Sequence, residues 1–185
     1  MLTLGCDPDL HDLAFASWSP EGPHKAWVLH VPRRKGVIEQ AAVLEMMEAL
    51  EDFDYIVNIF GREVCALAVE AQTLKRTGPK QHKRPQDIVT LGNVAGLALA
   101  HMRRNWPHAG IAFPAPETWK GQIPKAVMQA RLYDELDWGY DMIGKERAYA
   151  RPIRVSESFK HISEGQWKHI GDALLLARWA YTKLP

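Results

Sequence analysis

The sequence predicts an α/β domain built on a mixed central sheet, three antiparallel strands followed by parallel ones, with helices on its faces. Three observations point there. Leu2 to Asp7 alternates apolar residues and then stops at Asp7-Pro8-Asp9. Proline lacks the N–H that continues a ladder, so Asp7 is placed at the C-terminal tip of a buried strand, where open α/β sheets bind ligands. A second apolar strand, Ala66-Leu67-Ala68-Val69, also ends on an acid, Glu70. On a late apolar helix, His169 and Asp172 stand one turn apart and share a face. An Asp before Pro is also an ordinary turn opener; the second strand tip and the helix argue for more.

With 185 residues, 46% of them hydrophobic, the chain fits one compact domain over 1–185 with a sizeable core. A net charge of +1 does not advertise nucleic-acid binding, so such a role must rest on local patches. No apolar run approaches membrane-spanning length and the chain enters a strand at once, so the expectation is a soluble, cytoplasmic protein without membrane contact. If the strands of Cys6 and Cys65 are parallel neighbours with Asp7 and Glu70 level, Cys65 lies roughly 13 Å below Cys6. That is beyond the reach of a disulfide, and free thiols are expected.

The elements follow in order. Leu13 to Trp18 and Ala26 to Val31, separated by a turn at Glu21-Gly22-Pro23, complete an antiparallel meander with the first strand. Gln40 to Phe53 carries Val43, Leu44, Met47 and Leu50 at helical spacing. Tyr55 to Phe60 reads equally as helix or strand. After Glu70, the stretch Lys75 to Arg84 holds Lys75, Arg76, Lys80, Lys83 and Arg84 without an acid, a basic loop placed to contact phosphates. Pro85 opens a helix running to His101 or slightly beyond, with Gly92, Gly96 and Ala100 at every fourth position. That small-residue stripe suits either tight packing on the domain's own sheet or a two-fold subunit contact. Ile111 to Phe113 is a last strand. Pro124 begins a helix to about Asp137, with Lys120 and Lys125 flanking the break before it. Residues 138–159 show no period and read as a loop-rich insertion, functional or disordered. Ser163-Glu164-Gly165-Gln166 has capping-box spacing ahead of a final helix whose stripe is Ile170, Leu174, Ala177 and Tyr181.

If the two strand tips and the last helix meet, Asp7, Glu70, His169 and Asp172 cluster. Carboxylates that close cannot all stay charged without a cation. Mg²⁺ takes oxygen ligands, two ions about 3.5–4 Å apart clamp both the attacking and leaving oxygens of a phosphodiester, and a histidine tilts the set toward Mn²⁺. A His one turn from an Asp is otherwise usually a structural hydrogen-bonded pair; the strand-tip acids favour the metal reading.

This order of elements, with acids at these points, resembles the ribonuclease H-like fold, and more narrowly RuvC-type Holliday junction resolvases, including bacteriophage-encoded ones. The resemblance runs from Leu4-Gly5-Cys6-Asp7-Pro8 through Val69-Glu70 and Leu91-Gly92-Asn93-Val94-Ala95-Gly96-Leu97 to His169-Ile170-Gly171-Asp172-Ala173-Leu174. The terminal His-x-x-Asp-Ala-Leu is its most specific part. It implies that Asp7, Glu70, His169 and Asp172 are catalytic metal ligands for two Mg²⁺ or Mn²⁺ ions per site, and that Lys120 and Lys125 lie near the scissile phosphate. Three departures stand out. Asp9 replaces the family's usual Gly, a change a left-handed turn tolerates. Thr73 stands where some members carry an aromatic wedge, so another residue would open the junction. Segment 138–159 is longer than in the family.

The function so implied is an endonuclease resolving four-way branched DNA as a homodimer, a two-fold protein on a two-fold substrate. The acids alone do not separate it from a nuclease of the same fold acting on flaps, forks or RNA–DNA hybrids, or from a non-catalytic DNA-binding member. A sugar-kinase fold also opens with a strand ending in Asp, but needs two such domains, and this chain is too short.

Overall fold

The computed structural model describes residues 1–9, 11–32, 39–51, 58–61, 63–71, 85–144 and 148–184. Its five-stranded sheet has the order β3-β2-β1-β4-β5. Strands β1 (Leu2–Asp7), β2 (Asp12–Ser19) and β3 (Gly22–His30) form the antiparallel meander. Strands β4 (Val64–Val69) and β5 (Gly110–Ala112) continue it in parallel, which is the mixed sheet expected. Pro23 sits in β3 because β3 is an edge strand, where a missing N–H costs no ladder bond.

The pleat of β1 assigns one set of residues to each face. Leu4 and Cys6 face a layer made by α1 (Glu39–Glu51) and α2 (Pro85–Asn105), packing with Phe15, Met46, Leu50, Leu67, Val94 and Met102. Thr3 and Gly5 face the last helix, with Ala14, Ala16 and Ala68 beside them on that side of the sheet. Asp7 has the same parity, so it points to the same layer.

After α3 (Pro116–Lys120) and α4 (Lys125–Glu135) come β6 (Tyr140–Ile143) and β7 (Tyr149–Pro152), then a 3₁₀ turn at Glu157–Phe159. Segment 138–159, which shows no period in sequence, thus holds an antiparallel hairpin. Four-residue strands are too short to display one. Aromatics anchor the segment: Trp138 stacks on Tyr133 at 6.0 Å and meets Phe159 edge-on at 5.3 Å, and Trp167 closes the cluster from α5 (Trp167–Lys183). The Ser163 N–H donates to Gln166 Oε1 at 2.9 Å, the capping box read from the sequence.

The small-residue stripe of α2 faces outward. Gly96 and Ala100 are exposed, and a Cβ at Gly92 or Gly96 would meet no described atom within 4 Å. Packing on the domain's own sheet is therefore done by Val94, Ala95, Ala98 and Met102 instead. Cys6 and Cys65 are free thiols: Cys65 sits at the opposite end of β1 from Cys6, its Sγ donating to the Leu2 carbonyl oxygen at 3.1 Å. No helix among the described residues is long and apolar enough to cross a membrane.

Candidate metal centre

Cys6 pairs with Val69 across β1 and β4, and the Glu70 N–H donates to the Cys6 carbonyl at 3.1 Å. Asp7 and Glu70 therefore stand level at the C-terminal edge of neighbouring parallel strands. Helix α5 crosses directly above. It gets there because β1 offers Gly5: a Cβ at that position would collide with the backbone of Ala173 and Ala177, and Thr3 Oγ1 donates to the Ala177 carbonyl at 2.7 Å. This seats His169 and Asp172 over the strand tips. Ligand oxygens of Asp7, Glu70 and Asp172 all lie within 4.8 Å of one another.

Such convergence leaves an electrostatic signature. Burial, with the Asp7 charge adding to it, pushes the Glu70 carboxyl up to about 7. Asp172 is raised as well, by burial first, against the opposing pull of Lys125. For Asp7 burial also opposes ionisation, but the hydrogen bond from His169 and the Lys125 charge outweigh it and the carboxyl ends below its ordinary value. Lys125 Nζ meets Asp172 Oδ2 at 2.6 Å, and its own pKa rises because the acids around it exceed the burial penalty. Glu70 Oε2 is buried without a hydrogen-bond partner among the described residues. Three close carboxylates, two of them resisting ionisation and one with an orphaned oxygen, fit a hard divalent cation.

His169 divides its ring. Nδ1 lies 2.9 Å from Asp7 Oδ2, while Nε2 turns away toward Asp12 Oδ2 at 3.8 Å. The triad of mutually close ligand atoms is thus Asp7, Glu70 and Asp172, and His169 groups with Asp9 and Asp12 instead.

No protein-family model matches the chain, and no curated protein matches it. Among solved structures, Thermus thermophilus RuvC in complex with a Holliday junction substrate superposes with a TM-score of 0.54 at 16% identity, covering 97% of this chain and 91% of that one. A structure of Thermus thermophilus RuvC gives 0.48 at 18% identity, covering 97% and 92%. The fold is that of RuvC.

On this RuvC fold, Lys120 closes α3 with Nζ 4.8 Å from the Trp119 ring centroid, and its charge acts on the same three carboxyls. Lys75, Arg76, Lys80, Lys83 and Arg84, the predicted basic loop, lie outside the described residues, as does Thr73. Asp9 does not use the left-handed backbone anticipated for it: among described non-glycine residues only Asp137 has positive φ. Its side chain instead accepts the His11 N–H at 3.1 Å, an Asx turn that bends the chain without strain.

Gln129 is the residue that sequence reasoning missed. Fully buried on α4, its Nε2 donates to Asp172 Oδ1 at 3.0 Å and to the Lys168 carbonyl at 3.2 Å, and its Oε1 accepts the Ala150 N–H at 3.1 Å. One amide thereby ties the candidate ligand, its helix and the hairpin together. A signal existed: Gln129 interrupts the buried stripe of Ala126, Ala130 and Tyr133. Gly171 makes the reach possible, since a Cβ there would come within 2.6 Å of Gln129 Nε2 and of the Tyr133 hydroxyl.

Proposed function

We propose that the protein is a divalent-metal-dependent endonuclease that resolves four-way DNA junctions as a homodimer. The observation carrying this is the convergence of Asp7, Glu70 and Asp172 within 4.8 Å at two parallel strand tips beneath the last helix. Asp7, Glu70, His169 and Asp172 would hold two Mg²⁺ or Mn²⁺ ions, His169 standing beside Asp7. When bound, such ions polarise the scissile phosphate and lower the pKa of the attacking water, giving 5′-phosphate and 3′-hydroxyl ends. Lys125, which pairs with Asp172, and Lys120, whose Nζ lies over the Trp119 ring, would meet the phosphate. The basic residues Lys75, Arg76, Lys80, Lys83 and Arg84 would track the arms. The Thermus thermophilus neighbour is complexed with a Holliday junction substrate, which supports branched DNA as the substrate class.

The deciding experiment is cleavage of sequence-matched junction, fork, flap, RNA–DNA hybrid and linear duplex with Mg²⁺ and with Mn²⁺. Paired symmetric nicks on the junction, and little on linear duplex, are expected. Preference for flaps, forks or hybrids would move the protein to another nuclease activity on the same fold, and binding without cutting in either metal would make it a non-catalytic junction binder.

A further inference from the structure

We propose that Phe113 is the flat surface on which a base at the branch point stacks, and that it sets the preference for branched over continuous DNA. This inference rests on the junction-nuclease reading and adds to it a residue that touches bases rather than phosphates. Among the described residues Phe113 is the one Phe, Tyr or Trp that stands in the open, 47% exposed. It joins neither hydrophobic core.

Its position follows from strand register. Ala68 pairs with Ala112, and the Ala71 N–H donates to the Pro114 carbonyl at 2.9 Å, so the parallel register of β4 and β5 runs on past the strand ends. Pro114 thereby stands level with Glu70, and Phe113 one residue below it, beside Val69. With strands about 4.8 Å apart and about 3.3 Å of rise per residue, the Cα atoms of Phe113 and Glu70 are roughly 6 Å apart. Leu67 and Val69 face the α1–α2 layer, and Ile111, paired with Leu67, shares that face with Phe113. The ring and the carboxylates therefore stand on opposite faces of one sheet tip. A DNA strand that lays a phosphate on the carboxylates carries a neighbouring base over the tip to the ring.

The chain holds the ring ready. A residue before proline is confined to extended backbone, and Phe113 precedes Pro114, which is itself buried. An aromatic side chain has only two torsions to fix, so stacking on it orders little. The size of the apolar spot favours a base over a protein partner. Phe113 and Ile111, the latter 39% exposed, are two side chains, far short of the roughly 800 Å² that each partner buries in a stable protein interface. At a branch, bases lose a stacking neighbour that continuous duplex supplies, and an aromatic face replaces it whatever the base.

The test is equilibrium binding, with chelator present so that nothing is cut, of wild type, Phe113→Leu and Phe113→Tyr. The substrates are a four-way junction, the same junction with abasic nucleotides at the branch, and linear duplex. Phe113→Leu should bind the junction about 5- to 150-fold more weakly, a stack on one base being worth about 1–3 kcal/mol at 1.4 kcal/mol per decade. Phe113→Tyr should bind it like wild type. All three should bind linear duplex alike, and abasic nucleotides should erase the gap between wild type and Phe113→Leu. An unchanged junction affinity in Phe113→Leu, a loss as large in Phe113→Tyr, or a gap that survives on abasic or linear DNA would overturn the proposal. So would a dimer that sediments as a monomer once Phe113 is Leu, which would make the ring a subunit contact. Wild type that binds the junction with no dependence on Phe113 sinks this inference alone; wild type that does not bind the junction sinks the junction reading with it.

Discussion

A Cβ on Gly5 would stand 2.1 Å from the Ala173 carbonyl oxygen and 2.5 Å from the Ala177 nitrogen, so the first strand and the last helix meet backbone to backbone. Any side chain at position 5 must lift α5, and with it His169 and Asp172. Gly5→Ala is expected to cost about 1–3 kcal/mol, the usual scale of overpacking. Activity should fall further than the urea midpoint implies, because the strand tips and the helix separate. A variant that cuts at the wild-type rate would show that the close approach does not set the site.

Asp7→Asn, Glu70→Gln and Asp172→Asn should each abolish cleavage, a loss of about three decades or more if one ion's contribution of roughly 4 kcal/mol disappears. Junction binding should persist or tighten, since a negative charge near phosphate is removed. Gel-shift and single-turnover cleavage on the same junction separate the two effects. Near-normal cutting in any one variant at saturating metal would remove that residue from the centre.

Gln129→Leu leaves the Ala150 N–H without its buried acceptor and Asp172 without its amide donor. Stability should drop by about 1–3 kcal/mol. With Asp172 no longer held, the metal concentration for half-maximal cleavage should rise by about 10–100-fold. A lower melting temperature with an unchanged metal requirement would make Gln129 purely structural.

Glu70 links pH to stability. Its carboxyl titrates at about 7 in the folded protein against an ordinary 4.5. Between those values the folded state holds a proton the unfolded state has released, so stability is fully present below pH 4.5 and lost as pH rises toward 7. Glu70's share is about 3 kcal/mol. Asp172, also raised, adds in the same direction, whereas Asp7, lowered, acts only below its ordinary 3.8 and leaves this window unchanged. Urea midpoints across this window with chelator present should show the decline, and saturating Mg²⁺ should flatten it. Glu70→Gln with the same pH slope as wild type would rule out this linkage.

Replacing Lys80, Lys83 and Arg84 together should make the slope of log K against log salt shallower by up to roughly 2.7, about 0.9 for each phosphate no longer neutralised. Saturating enzyme should restore much of the cutting rate. Identical slopes in catalytically dead proteins with and without the three substitutions would end the idea that these residues hold DNA.

What could be read from the chain was whatever its local grammar marks. Pro8 halts a strand on Asp7, and His169 and Asp172 share a face by helical spacing, so the sheet, its acidic tips and the helix above them were legible. Gln129 was not, because its three partners come from Lys168, Asp172 and Ala150, all remote in sequence. Nor was the division of His169 between Asp7 and Asp12, which depends on how α5 crosses the β1–β2 turn. The hairpin of 138–159 escaped because aromatic packing against Tyr133 and Trp167, rather than a pattern of its own, organises it.

Asp7 and His169 touch across 162 residues of chain. A ribosome adding about 5–20 residues per second spends many seconds between making the first and making the second. The strand tips emerge early, yet they stay an incomplete pair of acids until α5 settles on Gly5. Whatever chemistry the centre performs is thereby withheld from the nascent chain, and any break that removes the last helix dismantles the centre.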